Sequence, residues 1–84
     1  MPGEIRVLFF ATARQAAGWA ESVLPCDDSG LSVADFWDRL QTENPGLTPL
    51  RSSVRLARNH EYLTGDEWIH PGDEIALIPP VSGG

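Results

Sequence analysis

The sequence contains no lysine: its six basic residues, Arg6, Arg14, Arg39, Arg51, Arg55 and Arg58, are all arginine. The folded chain therefore offers no side-chain amine to an acylating group. Cysteine is nearly absent as well. The single Cys26, in "LPCDDSG", excludes an internal disulfide, and with no CxxC or Cys/His neighbour it marks neither a metal nor a redox site. It reads as a thiol at a strand end rather than a nucleophile. His60 and His70 stand in turn-rich sequence without a partner pattern, which makes them surface residues rather than ligands or general bases. No apolar run approaches the ~20 residues that span a bilayer. The longest, "VLFFA" at 7–11, is strand-sized and lacks signal-peptide flanks, so a cytoplasmic protein is expected. Twelve acids against six bases leave a net charge of −6, which argues against nucleic acid and against an anionic membrane surface as partners.

What is present fits one small domain. A chain of 84 residues buries only ~60% of its unfolded surface. In "EIRVLFFA" (4–11), Ile5, Val7 and Phe9 alternate with Arg6, Leu8 and Phe10, the pattern of a strand whose second face is only partly polar. "TARQAAGWA" (12–20) reads as a connection broken at Gly18, leading into a second strand, "ESVLPC" (21–26), in an antiparallel hairpin with a longish loop. "LSVADFWDRLQTENPG" (31–46) is the clear helix. Ser32 is its N-cap, Asp35 completes a variant capping box, and Leu31 with Phe36 forms a hydrophobic staple. Val33, Phe36, Trp37 and Leu40 make one apolar stripe, and Asn44, Pro45 and Gly46 stop the helix. Those aromatics read as core rather than as a cofactor site.

"VRLARN" (54–59) resumes strand character with Val54 and Leu56 inward, and "EYL" and "EWI" are short extended pieces. "HPGDE" is a turn, and "EIALI" (74–78) is the last strand. One helix covers only one face of such a sheet, an α+β layout. On the other face Leu8, Phe10, Ala76 and Ile78 form an exposed apolar patch if the first and last strands are neighbours. Strand order is what the sequence leaves open.

The final segment, 79–84, divides from the domain at 1–78. Pro79 and Pro80 cannot donate to a ladder and hold the exit extended, followed by Val81, Ser82, Gly83 and Gly84. Six residues reach ~20 Å. Two terminal glycines arise by chance in roughly one chain in 200. A strand leading through Pro-Pro into Gly-Gly is more specific, because a thread without side chains enters a channel that no side chain could pass. The terminal carboxylate is ionised at neutral pH and a poor electrophile. The sequence has no phosphate-binding loop and no Ser/His/Asp or Cys/His set to activate it. A second protein would have to do so, most simply by forming an acyl-adenylate, which makes this chain a carrier or co-substrate.

"RVLFFATAR", "ARNHEYL" and "HPGDEIALIPPVSGG" resemble the small, MoaD-like subunit of molybdopterin synthase, a ubiquitin-like β-grasp sulfur carrier. The likeness runs nearly the whole chain, and the Pro-Pro-Val-Ser lead-in to Gly-Gly is its specific part. It implies adjacent first and last strands at the sheet centre, which would make the Leu8, Phe10, Ala76 and Ile78 face contiguous. It implies no bound cofactor. Instead, an activating enzyme, an adenylyltransferase of the ubiquitin-activating type, would use ATP to adenylate Gly84. A sulfur donor protein would then convert it to a thiocarboxylate, and the tail would enter the large subunit to sulfurate cyclic pyranopterin monophosphate. Gly84 would bear the reactive group and Gly83 the thread. Phe10, Tyr62 and Ile78 match apolar docking positions, with Leu8, Ala76, Pro79, Pro80 and Val81 beside them, and Arg14 matches a basic position near the activating enzyme. The resemblance also implies a heterotetramer of two small and two large subunits. Arg58 departs from the family, which usually has an aliphatic residue before Asn59; at a strand end it is free to turn to solvent. The missing lysines suit a carrier whose activated end must not acylate itself.

Other readings share parts of this pattern. The same fold serves thiamine or cysteine synthesis and tRNA thiolation, whose carriers keep Gly-Gly but not usually "IPPVSGG". A ubiquitin-like modifier shares the chemistry before the acceptor. A plain binding module would carry an inert tail; the acidic charge disfavours RNA, and one cysteine excludes a four-thiolate iron–sulfur cluster.

Overall fold

Seven strands and two α-helices make up the computed structural model, which describes residues 3–80. The chain runs β1 (Gly3–Phe9), α1 (Ala11–Ala17), β2 (Glu21–Cys26), β3 (Leu31–Ser32), α2 (Val33–Glu43), a 3-10 turn (Pro45–Leu50), β4 (Arg55–Arg58), β5 (Glu61–Tyr62), β6 (Trp68–Ile69) and β7 (Glu74–Ile78). The main sheet has the order β2-β1-β7-β4-β5, and β3 pairs with β6 in a separate two-stranded ladder.

β1 and β7, the two most continuously apolar strands, lie side by side and parallel, with Val7 opposite Ile75 and Phe9 opposite Leu77. Every other pairing in the sheet is antiparallel. A parallel pair needs a long crossover, and here the helices and the remaining strands supply it. The alternation then sorts the side chains. Ile5, Val7, Ile75 and Leu77 are fully buried beneath α2, where Phe36, Trp37 and Leu40 meet them. Each such side chain contributes ~1.5–3 kcal/mol on leaving water. The mixed sheet with α2 across one face is the β-grasp layout that the sequence resemblance implies.

Helix α2 starts as its sequence dictates: the Ser32 hydroxyl accepts the Asp35 N–H at 3.1 Å, and Leu31 and Phe36 are both buried. It ends where Asn44, one of the few buried polar residues, donates its side-chain amide to the Leu40 carbonyl.

The segment 12–20 is corrected by the structure. Ala11–Ala17 is a helix rather than a connection, closed by Gly18 at φ 88°, whose N–H bonds the Arg14 carbonyl. Its apolar stripe is made of alanine, with Ala13 fully buried and Ala16 and Ala17 packed on the core. Alanine is the best helix former yet weakly apolar, so a seven-residue helix whose apolar positions are four alanines gives little periodic contrast. β1 accordingly ends at Phe9, and Phe10 caps α1 in an extended conformation.

Arg58 is corrected too. Its guanidinium donates to the Trp68 carbonyl at 2.6 Å and to Glu67 at 2.7 Å instead of turning to solvent. Glu67 also accepts the Thr64 N–H, so this arginine ties β4 to the loop that carries β6.

Candidate functional site

The face of the sheet away from α2 is built in rows. Leu8, Ala76 and Ala57 stand side by side on β1, β7 and β4, and Tyr62 on β5 faces Ala57. Two alanines at the sheet centre leave a depression of about 290 Å³ between larger neighbours. Its lining includes Leu8, Phe10, Ala76, Ile78 and Tyr62, all five of them apolar docking residues named from the sequence. Phe10 is 48% and Tyr62 53% exposed, well above the usual state of large apolar side chains. The first and last strands are neighbours, so the patch is contiguous. Phe10 is held at its edge because its N–H continues the ladder to the Leu77 carbonyl at 3.3 Å.

Sequence reading missed four contributors: Ala57, Asn59, His60 and Glu74 also line the depression. Ala57 alternates with Leu56 and Arg58 in the sequence, which was a usable signal, but its neighbour Ala76 is known only from the strand order. Asn59 and His60 form the two-residue loop between β4 and β5 with φ of 49° and 77°, the geometry of a type I′ hairpin. Asn59 fastens that loop to β7 twice: its N–H donates to the Glu74 carbonyl at 3.0 Å, and its side-chain oxygen accepts the Glu74 N–H at 3.2 Å.

Below the apolar row lies a charged one. Arg6 bridges Glu21 at 2.8 Å and Glu74 at 3.5 Å, so the acids beside the depression are partly neutralised. Above it, Arg55 is opposite Ile78 and its guanidinium carbon stands 3.8 Å from the centre of the Tyr62 ring. Arg14 lies apart from the depression, exposed on α1 with Ala11, Gln15 and Gly18 around it.

β7 stops at Ile78, where the prolines require it. Pro79 is half-buried and Pro80 exposed at the rim of this face. Val81, Gly83 and Gly84, the remaining residues singled out from the sequence, lie outside the described residues.

The described residues contain no cluster of three or more His, Cys, Asp or Glu able to hold a metal. Cys26 is buried, its thiol donates to the Asp27 carbonyl at 3.3 Å, and burial pushes its pKa up, with the Asp27 charge adding to the effect. It remains a protonated core residue. No helix among the described residues is long and apolar enough to cross a membrane. The arrangement is an exposed apolar face continuous with β7, the strand that precedes Pro79 and Pro80.

Comparison with known proteins places the chain in a family. The sequence matches the ThiS family over residues 7–84. It is 42% identical to the molybdopterin synthase sulfur carrier subunit of Arabidopsis thaliana over 81 residues, covering 96% of this chain and 83% of the relative. It is 33% identical to the human protein of the same name, covering 96% of this chain and 94% of the relative. Among solved structures it superposes on SAMP1 from Haloferax volcanii with a TM-score of 0.83 and 30% identity, covering 98% of this chain and all of the other.

Proposed function

Because the chain belongs to the ThiS family, we propose that it is the sulfur carrier of molybdopterin synthesis, a co-substrate whose reactive group is the Gly84 carboxylate. In this reading an adenylyltransferase joins that carboxylate to the α-phosphate of ATP and releases pyrophosphate. Sulfur from a donor protein displaces AMP and leaves a thiocarboxylate. The tail then enters the molybdopterin synthase large subunit, where the sulfur forms a bond to carbon of cyclic pyranopterin monophosphate, and water cleaves the acyl–sulfur bond to return the carrier as carboxylate. Two dithiolene sulfurs require two carrier turnovers, and two small with two large subunits make the assembly.

The observation that carries this reading is the continuity of the docking face with β7. A partner seated on Leu8, Ala76, Ala57 and Tyr62 also contacts Ile78, and so holds the start of the tail in a fixed place. Effective concentration at the acceptor then depends on a short, stiff spacer rather than on diffusion. The names of the relatives favour the molybdopterin pathway over other sulfur pathways.

Intact mass tests it. Expressed with the sulfur machinery, the chain should show a fraction heavier by the exchange of one oxygen for sulfur. Extension beyond Gly84 should abolish molybdopterin formation. Normal formation with Gly84 blocked would sink the carrier reading, and copurification with a thiazole synthase would move it to another pathway.

A further inference from the structure

Half of the six arginines of this acidic chain are in ion pairs. Arg6 pairs with Glu21 and Glu74, Arg51 with Asp38, and Arg58 with Glu67. Among the described residues, Arg14, Arg39 and Arg55 have no carboxylate within ion-pair distance, and of these only the Arg39 side chain donates to another group, the Pro25 carbonyl. With twelve acids in the sequence, an unpaired arginine is worth explaining by its position.

Arg55 lies at the point where the chain leaves the sheet. It is opposite Ile78, the last residue of β7, and it stacks on Tyr62, which lines the docking depression. Stacking has two physical consequences. It holds a long side chain that would otherwise lose ~2 kcal/mol of rotamer entropy when a partner fixed it. It also occupies only the flat face of the guanidinium, leaving the N–H donors on its edge free in the fork geometry that matches a carboxylate. The site is thus preorganised for one planar anion beside the tail.

Continuity with the docking face points to the anion. Arg55 stands beside Tyr62 and Ile78, which line the depression, so a carboxylate on the surface that covers this face comes within reach of its guanidinium. We propose that Arg55, held on Tyr62, donates a two-pronged hydrogen bond to an Asp or Glu carboxylate at the mouth of the molybdopterin synthase large subunit's active site. It thereby sets the register in which the tail enters. This rests on the sulfur-carrier reading above.

The test is calorimetric titration of the purified chain into the large subunit from the same organism at low and moderate salt. Arg55→Gln keeps most of the stem and removes the charge; Arg55→Lys keeps the charge and removes the fork. Arg39→Gln changes net charge equally at a distance from the docking face. Arg55 is exposed, so thermal unfolding should show all three variants folded. The expected result is a loss of about tenfold or more for Arg55→Gln, a smaller but clear loss for Arg55→Lys, and a change within about twofold for Arg39→Gln. The salt dependence of binding should also shrink in Arg55→Gln. If the unaltered chain binds and Arg55→Gln binds equally, the role of Arg55 is overturned while the carrier reading stands. Equal losses for Arg55→Gln and Arg39→Gln would reduce the effect to net charge and overturn it as well. If the unaltered chain does not bind the large subunit, the carrier reading falls and this inference falls with it.

Discussion

His60 should be replaceable by glycine with a gain in stability. It occupies the second position of the hairpin loop at φ 77°, a region in which an L-residue costs roughly 1–2 kcal/mol relative to right-handed backbone. The side chain is exposed and makes no hydrogen bond among the described residues, so little offsets that strain. Glycine removes it but has more freedom to lose from the unfolded chain, an opposing effect of about 0.5–1 kcal/mol. The net expectation for His60→Gly is about 0.5–1 kcal/mol of added stability, an Asn-Gly loop being the preferred sequence for this turn. For a domain of this size that raises Tm by roughly 3–6 °C. His60→Ala removes the same ring without relieving the backbone and should fall at or slightly below the parent. Thermal and urea unfolding followed by circular dichroism decide it. If glycine is no more stable than alanine at this position, the backbone is not strained and the reasoning fails. Because His60 lines the docking depression, His60→Gly should also bind the large subunit less tightly despite its higher Tm.

Three further outcomes follow from the geometry. Leu77→Ala, at a fully buried position in the central strand, should cost about 2–5 kcal/mol in urea unfolding. Ala76→Glu places a charge in the middle of the docking depression and should weaken large-subunit binding at least about tenfold while the domain still unfolds cooperatively; unchanged affinity would exclude this face as the interface. The Glu67 carboxyl is held below its ordinary value of 4.5, first by the Thr64 N–H bond and then by the Arg58 charge, with burial opposing. A carboxyl with a lowered folded pKa adds stability above its unfolded value and loses it as pH falls through the folded one. Stability should therefore decline as pH drops below about 4.5, and Glu67→Gln should flatten that part of the profile.

How much was legible in advance varies with the kind of signal. Helix α2 and β7 were readable nearly residue by residue, because a Ser32 cap, an apolar stripe and a Pro79–Pro80 stop are local features. Helix α1 was not, because its buried stripe is alanine and its partner is the 3-10 turn: a Cβ added to Gly46 would come within 2.6 Å of the Ala16 carbonyl oxygen. Arg58 was misjudged for a related reason. Its partners Glu67 and Trp68 come from β6 and its loop, and no local pattern announces them.

By itself the sequence determined which side chains alternate to which face of each strand and where the sheet must stop. Those follow from periodicity and from the missing N–H of proline, both of which act along the chain. Only the tertiary structure decided that β7 lies between β1 and β4. That adjacency places Ala76 between Leu8 and Ala57, hollows the face, and brings Arg55 and Tyr62 to the exit of the tail. Pairing between strands distant in sequence depends on the packing of the whole domain, and the docking site is a product of that pairing.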